Sequence, residues 1–243
     1  MWQKFEETLK NAGNIEFWWR DDDIMVEKRA YKLHYLKYKF KVKSLMKLYA
    51  TYKIPAIWAI VPHNYEKYGQ YFTKNILKYE QFATIHGIYH MNKATTPPST
   101  EFPETCNLEE NFQTITQYYN SFKPLFKDNL LPVFVPPFNN MNTNLKERLI
   151  KYGLIISEYN FNQNNHSNYN VDYDFANWET HKLKAENLIL KELTELITSG
   201  IKTLGLNSHH TIIDKENYKF FEKLFKTISK CNNVKWVNPF LLF

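Results

Sequence analysis

The chain has 243 residues, the length of one barrel or one large α/β domain, and its 44% of apolar residues can form a sizeable core. Its net charge is +6; lysines occur along the whole chain, and the densest run, at 37–47, alternates with apolar residues, which favours an amphipathic helix over a nucleic-acid patch. Two cysteines are too few for a disulfide framework, no segment approaches a membrane span and no signal peptide is recognisable, so the sequence predicts a cytoplasmic protein.

Helices and strands are predicted to alternate along the whole chain. The predicted helices cover residues 2–12, 35–52, 65–79, 107–122, 143–152, 181–199 and 214–229. The predicted strands cover residues 15–20, 54–61, 82–85, 131–135, 154–157 and 201–206, with a last short strand near residue 236. The Asn-rich segment 160–170 is predicted to be a loop. This alternation predicts a parallel α/β fold, and because no linker interrupts it, a single domain over residues 1–243.

Polar and aromatic clusters follow the predicted strands at the points where those strands end. The clusters are DDD at 21–23, PHN at 62–64, HGIYH at 86–90, PPFNN at 136–140, DFANW at 174–178 and SHH at 208–210. In a barrel, the loops that follow the strands converge on one face. We therefore predict a barrel rather than an open sheet.

The triple Asp and the two His residues of HGIYH form a candidate metal site. One carboxylate and two imidazoles suit a divalent metal with open positions for water and substrate, and a spare Asp could act as a base. Three adjacent carboxylates repel one another unless a cation or an Arg lies nearby. The alternatives are a solvated turn at 21–23 and ordinary surface or core roles for His86 and His90. The further His pair at 209–210 favours the metal.

Taken in order, these clusters resemble the five motifs of the polysaccharide deacetylase family of carbohydrate esterases, metal-dependent hydrolases that remove N- or O-acetyl groups from sugars. The family motifs are Thr-Phe-Asp-Asp, His-x-x-x-His, Arg-Pro-Pro-Tyr, Asp-x-x-Asp-Trp and Leu-x-x-His. Their counterparts here are residues 19–22, 86–90, 135–138, 174–178 and 206–209. The chain is most similar to a subgroup of short, signal-less bacterial members with an Arg-Asp-Asp-Asp first motif.

The resemblance implies a distorted (β/α)7 barrel of the deacetylase type and a divalent metal, expected to be zinc. It implies that Asp22, His86 and His90 bind this metal. It also implies that Asp21 is the general base that takes a proton from the attacking water.

The remaining motifs supply the acid and the substrate contacts that the resemblance implies. His209 would be the general acid, with His210 as the alternative because the strand register is not fixed by the sequence. Asp174 would orient that His. The backbone N–H of Phe138 would stabilise the oxyanion, and Trp178 would form a wall of the pocket.

Two departures from the family pattern affect the groups that organise the site. Val135 stands where the family has an Arg that positions the base, and Arg20 can replace it only if its side chain reaches inward. Asn177 stands where the family has an Asp. Loss of such groups can remove several kcal/mol of transition-state stabilisation, roughly 3 kcal/mol for one donor.

The function expected from the resemblance is hydrolysis of an acetyl group from a sugar or glycan precursor. One alternative is a weakened barrel that binds a glycan without cutting it. The other is a glycosyltransferase that uses Asp21-x-Asp23 as its metal site. The sequence makes no prediction of the oligomeric state.

Overall fold

The computed structural model describes residues 1–26, 33–160 and 167–242. The strands are β1 (Ile15–Ile24), β2 (Ile57–Ile60), β3 (Phe82–His86), β4 (Leu130–Val135), β5 (Ile155–Ile156), β6 (Tyr173–Asp174), β7 (Ala176–Asn177), β8 (Lys182–Leu183), β9 (Thr203–His209) and β10 (Val234–Trp236). The α-helices are α1 (Trp2–Asn11), α2 (Leu33–Thr51), α3 (Tyr65–Tyr68), α4 (Gln70–Lys78), α5 (Leu108–Phe126), α6 (Thr143–Tyr152), α7 (Glu186–Thr198) and α8 (Lys215–Ile228).

Seven parallel strands form the main sheet, in the order β5-β4-β3-β2-β1-β9-β6. β10 pairs in parallel with the first residues of β1. A parallel bridge between Tyr159 and Val171 joins the chain just after β5 to the chain just before β6, at the two edges of the sheet. The sheet thus curls into a distorted barrel surrounded by helices, which confirms the predicted fold class.

The sheet is apolar on both faces, as a parallel sheet covered by helices requires. Inside the barrel, Trp18 packs in a cluster with Ala59 and Val133. On the outer face, Trp19 packs in the larger cluster between the strands and the helices. Side chains alternate along a strand, so Arg20 follows Trp18 to the inside. The alternation along β1 therefore places the buried guanidinium of Arg20 inside the barrel, where the strands end.

Several helix ends carry the capping signals expected from the sequence. The side chain of Asn107 accepts a hydrogen bond from the backbone N–H of Glu110 at 3.2 Å, at the start of α5. α6 ends at Gly153, whose φ of 101° suits a glycine. None of the helices in the described ranges has the length and apolarity needed to cross a membrane.

Some predicted boundaries are wrong. The helix predicted at 181–199 begins only at Glu186, because the preceding residues form the antiparallel pair β7–β8. The helix predicted at 65–79 is divided into α3 and α4. β1 continues through the triple Asp to Ile24. In the predicted loop at 160–170, positions 161–166 lie outside the described residues.

Candidate active site

A pocket of about 620 Å³ opens where the parallel strands end, on the face predicted for the site. It is lined by side chains from the ends of β1, β3, β6 and β9, from β7, and from the loops that follow β3, β4, β5, β7 and β8. The polar groups that concern its chemistry are Arg20, Asp22, Asp23, His86, His90, Asp174 and His209.

The end of β1 presents two of its three adjacent carboxylates to this pocket. Alternation sends Arg20 and Asp22 to the interior and Asp21 towards the surrounding helices. The pairing of β1 with β2 shifts register between Asp21 and Ile24, and Asp23 has a φ of 73°. This bulge turns Asp23 into the pocket beside Asp22.

Asp23 lies beside both imidazoles of HGIYH. Its Oδ1 is 3.1 Å from Nε2 of His86 and 3.1 Å from Nε2 of His90. One oxygen and two nitrogens from these three residues all lie within 4.8 Å of one another. A carboxylate and two imidazoles are donors that suit a divalent cation such as zinc.

A backbone carbonyl selects the tautomer of His86. Its Nδ1 lies 3.0 Å from the carbonyl oxygen of Val135. Because a carbonyl can only accept, Nδ1 carries a proton in either state of the ring; a protonated ring donates from Nε2 to Asp23, and a neutral ring presents the lone pair of Nε2. This is the tautomer that a metal-ligating His requires, with a partner on its second nitrogen.

The buried carboxylate of Glu101 holds the loop that carries His90. It accepts hydrogen bonds from the backbone N–H groups of Ile88 at 3.0 Å, Tyr89 at 2.7 Å and His90 at 3.2 Å. Gly87 has a φ of 63°, and a Cβ at that position would collide with the Glu101 carboxylate. Both features place His90 next to His86, and the centroids of the two imidazole rings are 4.7 Å apart.

Arg20 reaches inward and pairs with Asp22. Its Nε is 2.8 Å from Oδ1 of Asp22, and its Nη2 donates to Oδ2 at 3.0 Å. Its Nη1 donates to Oγ of Ser157 at 2.7 Å, which fixes the far side of the guanidinium. The pocket therefore has a buried guanidinium on this carboxylate although Val135 occupies the position of the family Arg.

His209 faces the two pocket carboxylates from β9. Its Nε2 is 4.0 Å from Oδ2 of Asp22 and 4.0 Å from Oδ2 of Asp23. Its Nδ1 lies 3.5 Å from Oδ1 of Asp174. Asp174 is itself held by hydrogen bonds from the Tyr159 hydroxyl at 2.8 Å and from Nε1 of Trp178 at 2.9 Å.

Charged neighbours outweigh burial in this site. Burial would raise the pKa of Asp23, but hydrogen bonds from His86 and His90 hold that pKa well below its usual range. Burial would lower the pKa of His209, but the Asp174 hydrogen bond and the Asp23 charge raise it to about 9. At neutral pH the metal-free site thus combines an ionised Asp23 with a protonated His209.

Asp21 and His210 form a separate buried network behind β1. Asp21 accepts hydrogen bonds from Oγ of Ser208 at 2.6 Å and from the backbone N–H of His210 at 3.1 Å. Its Oδ1 is 2.7 Å from Nδ1 of His210. The Tyr49 hydroxyl donates to it at 3.1 Å, and Nε2 of His210 lies 2.9 Å from the Tyr38 hydroxyl. This network connects β1, β9 and α2.

Two exposed aromatic rings stand at the pocket mouth. Phe138 is 41% exposed, and its ring centroid is 5.0 Å from that of His90. Trp178 is 48% exposed, and its ring centroid is 4.5 Å from that of His209. Both residues line the pocket.

The bulge moves two of the predicted positions by one residue along β1. Asp22 was predicted to lie with His86 and His90, but the structure places Asp23 there and Asp22 on Arg20. Asp21 was predicted to be a base in the pocket, but it is fully buried outside the pocket lining.

The two adjacent His residues lie in different surroundings. His209 lines the pocket beside Asp174, whereas His210 is fully buried against Asp21. Asn177 does not face the pocket lining; its side-chain oxygen accepts from the backbone N–H groups of the next turn.

Sequence reasoning missed three supporting residues. Glu101 lies in a loop rich in Thr and Pro, where a buried acid has no local signal. Tyr159 contacts Asp174, and Ser157 contacts Arg20; these residues meet only because the sheet closes into a barrel. None of the three belongs to a motif, so spacing alone could not indicate them.

No protein-family model matches the chain, and no curated protein matches its sequence. The fold is nevertheless shared with solved structures. A putative polysaccharide deacetylase from Mycobacterium smegmatis superimposes with a TM-score of 0.68 over 96% of this chain and 90% of that one, at 10% identity.

Two further structures extend this likeness. A family 4 acetyl xylan esterase from Clostridium thermocellum, in complex with a cobalt ion, gives a TM-score of 0.58 at 10% identity over 94% of this chain and 90% of that one. A family 4 pseudoenzyme from Bacillus anthracis gives 0.59 at 9% identity over 93% of this chain and 64% of that one. These likenesses establish the deacetylase-type barrel fold.

Proposed function

We propose that this protein is a metal-dependent hydrolase that removes an acetyl group from a sugar or glycan, as a member of the polysaccharide deacetylase family. The observation that carries the proposal is the meeting of Asp23 with His86 and His90 in one pocket. An Arg-held carboxylate and a protonated His border the same pocket. The shared fold supports this proposal.

The residues present fit a divalent cation. Asp23, His86 and His90 would hold it, since their donor atoms lie within 4.8 Å of one another and the tautomer of His86 is suitable. When bound, the cation would acidify a water molecule and polarise the acetyl carbonyl. Zinc is the expected ion, and the cobalt ion belongs to the esterase structure alone.

Asp22 takes the role of general base in place of Asp21. Its carboxylate lies in the pocket beside Asp23, and the buried guanidinium of Arg20 holds it in place. From there it removes a proton from the attacking water. Arg20 positions this base and thereby replaces the family Arg that is absent at Val135.

His209 takes the role of general acid. Its Nε2 faces the space above Asp22 and Asp23, while Asp174 contacts Nδ1 and orients the ring. In the metal-free site the pKa of His209 is raised to about 9, so this ring holds a proton that it can give to the departing amine or hydroxyl. The predicted oxyanion contact from the Phe138 backbone N–H stays part of this proposal.

Phe138 and Trp178 supply apolar walls for the acyl group or the sugar ring. Their exposed rings also suit a barrel that binds a glycan without hydrolysing it, and a pseudoenzyme shares this fold. The glycosyltransferase alternative has less support, since Asp21 and Asp23 do not face one common space. A cytoplasmic location and a single domain over residues 1–243 complete the proposal.

The test is acetate release from a panel of N- and O-acetylated sugars with added zinc or cobalt. Asp22→Asn should lower the rate about a hundredfold or more while it keeps the metal, because only the base is lost. Asp128→Asn, at an exposed position, is the matched control and should behave like the wild type. Absence of acetate from every sugar, with metal bound, would favour the glycan-binding barrel.

A further inference from the structure

An apolar stripe lies on the outer side of α2, close to the active site. Leu33 is 70% exposed, Leu36 is 41% exposed and Phe40 is 64% exposed. Their spacing of three and four residues places them on one helical face. Further along the same face the exposed residues become polar, at Ser44 and Lys47. The stripe is therefore confined to the first two turns of the helix.

The inner side of these turns contacts the active-site end of β1. The Tyr38 hydroxyl accepts a hydrogen bond from the backbone N–H of Met25 at 3.2 Å and lies 2.9 Å from Nε2 of His210. A helix is about 10 Å across, so the stripe lies about one helix diameter from the strand end that carries Asp23. The start of α2 thus borders the face on which the pocket opens.

Other exposed apolar side chains occupy that same face. They follow strands whose ends form the pocket, or stand at the pocket mouth itself: Met25 after β1, Tyr89 and Met91 after β3, Phe138 after β4, and Trp178 after β7. Large contiguous apolar patches on a protein surface usually mark an interaction site.

The helix that carries the stripe is basic. α2 contains five lysines and no acidic residue. Residues 28–47 hold eight Lys and Arg and no Asp or Glu, while the rest of the chain holds 23 basic and 25 acidic side chains. The whole positive balance of the protein therefore comes from this segment. Lys37 and Lys47 are exposed in α2.

We propose that the start of α2 docks the pocket face onto an anionic lipid bilayer, so that the substrate is an acetylated sugar carried on a lipid. Exposed apolar side chains flanked by lysines are the composition that binds membrane surfaces. This inference deepens the proposed function and rests on it for the substrate.

Charge and composition favour a bilayer over other occupants. A second copy placed with this helix against itself would bring lysines against lysines, which repel. A nucleic acid would pair with the lysines but would offer no apolar surface to the stripe.

The experiment measures co-flotation of the full chain with vesicles of equal parts phosphatidylglycerol and phosphatidylcholine. The wild type should bind, and added salt should weaken the binding. Leu33→Ser, Leu36→Ser and Phe40→Ser combined should lower the partition coefficient about tenfold or more. Leu77→Ser, Ile150→Ser and Tyr152→Ser combined remove exposed apolar residues from the opposite end and should leave binding unchanged.

The outcomes separate this inference from the proposed function. No vesicle binding by the wild type, or equal binding by the stripe variant, would overturn the docking surface. A wild-type dimer that the stripe variant dissociates, without vesicle binding, would overturn it in favour of a second copy. Acetate release from soluble acetylated sugars needs no vesicle and should be unchanged in the stripe variant, so it tests the hydrolase alone.

Discussion

His209 is surrounded by three carboxylates on the pocket wall. Nδ1 lies 3.5 Å from Asp174, and Nε2 lies 4.0 Å from both Asp22 and Asp23. Its pKa rises from an ordinary 6.5 to about 9. Because the folded pKa is the higher one, the stability that this charge provides is fully present below pH 6.5 and is lost as the pH rises through about 9.

This environment predicts the titration of one imidazole. In metal-free protein, NMR should show His209 titrating with a pKa of about 9. Asp174→Asn should lower that pKa, because it removes a hydrogen bond and a negative charge. Glu179→Gln changes an exposed acid nearby and should leave the pKa unaltered. An ordinary His209 pKa in the wild type would contradict the proposed acid.

At the scale of elements, Asp21 and His210 link the end of β1 to the residue that follows β9. Asp21 receives four contacts within this network and is fully buried. A buried carboxylate with so many partners is a structural group, and it keeps the bulged end of β1 in place. The neighbouring Asp22 and Asp23 depend on that placement.

Asp21→Asn should therefore lower the stability of the fold more than it lowers the rate of acetate release. Loss of charged hydrogen bonds in a buried site costs about 1–3 kcal/mol, which urea denaturation can measure. The variant should retain more acetate release per folded molecule than Asp22→Asn. If Asp21→Asn abolished activity at unchanged stability, Asp21 would be the base after all.

The sequence predicted the elements better than the ends of β1 and α7. Alternating β and α signals gave the barrel, and β4 and α6 agree with their predicted ranges to within one residue. Two-residue strands such as β6, β7 and β8 carry no periodic signal, so they were missed. The bulge turns Asp23 into the pocket beside Asp22, whereas strict alternation would send it outward, and no local pattern in the sequence indicates the bulge.

At the scale of the whole molecule, Trp19 joins the barrel to its outer helices. Its ring packs against Phe175 at 5.1 Å and Phe225 at 5.0 Å, between centroids. Its Nε1 donates to Oγ of Ser208 at 3.1 Å. The side chain is fully buried, in contrast to Trp178 at 48% exposure.

The two tryptophans should consequently respond differently to truncation. Trp19→Ala should lower the free energy of unfolding by about 3–5 kcal/mol, since it leaves a large cavity in the main core. Trp178→Ala should change stability by less than about 1 kcal/mol and instead raise KM for the acetylated sugar. Denaturant titration of both proteins checks the first effect, and steady-state kinetics checks the second.

The central claim is that Asp23, rather than Asp22, completes the metal site with His86 and His90. Calorimetric titration of Zn²⁺ or Co²⁺ into the two Asn variants tests it most directly. Asp23→Asn should weaken binding by about a hundredfold or more, whereas Asp22→Asn should stay within about tenfold of the wild type. Loss of metal from Asp22→Asn with retention by Asp23→Asn would contradict the arrangement described for β1.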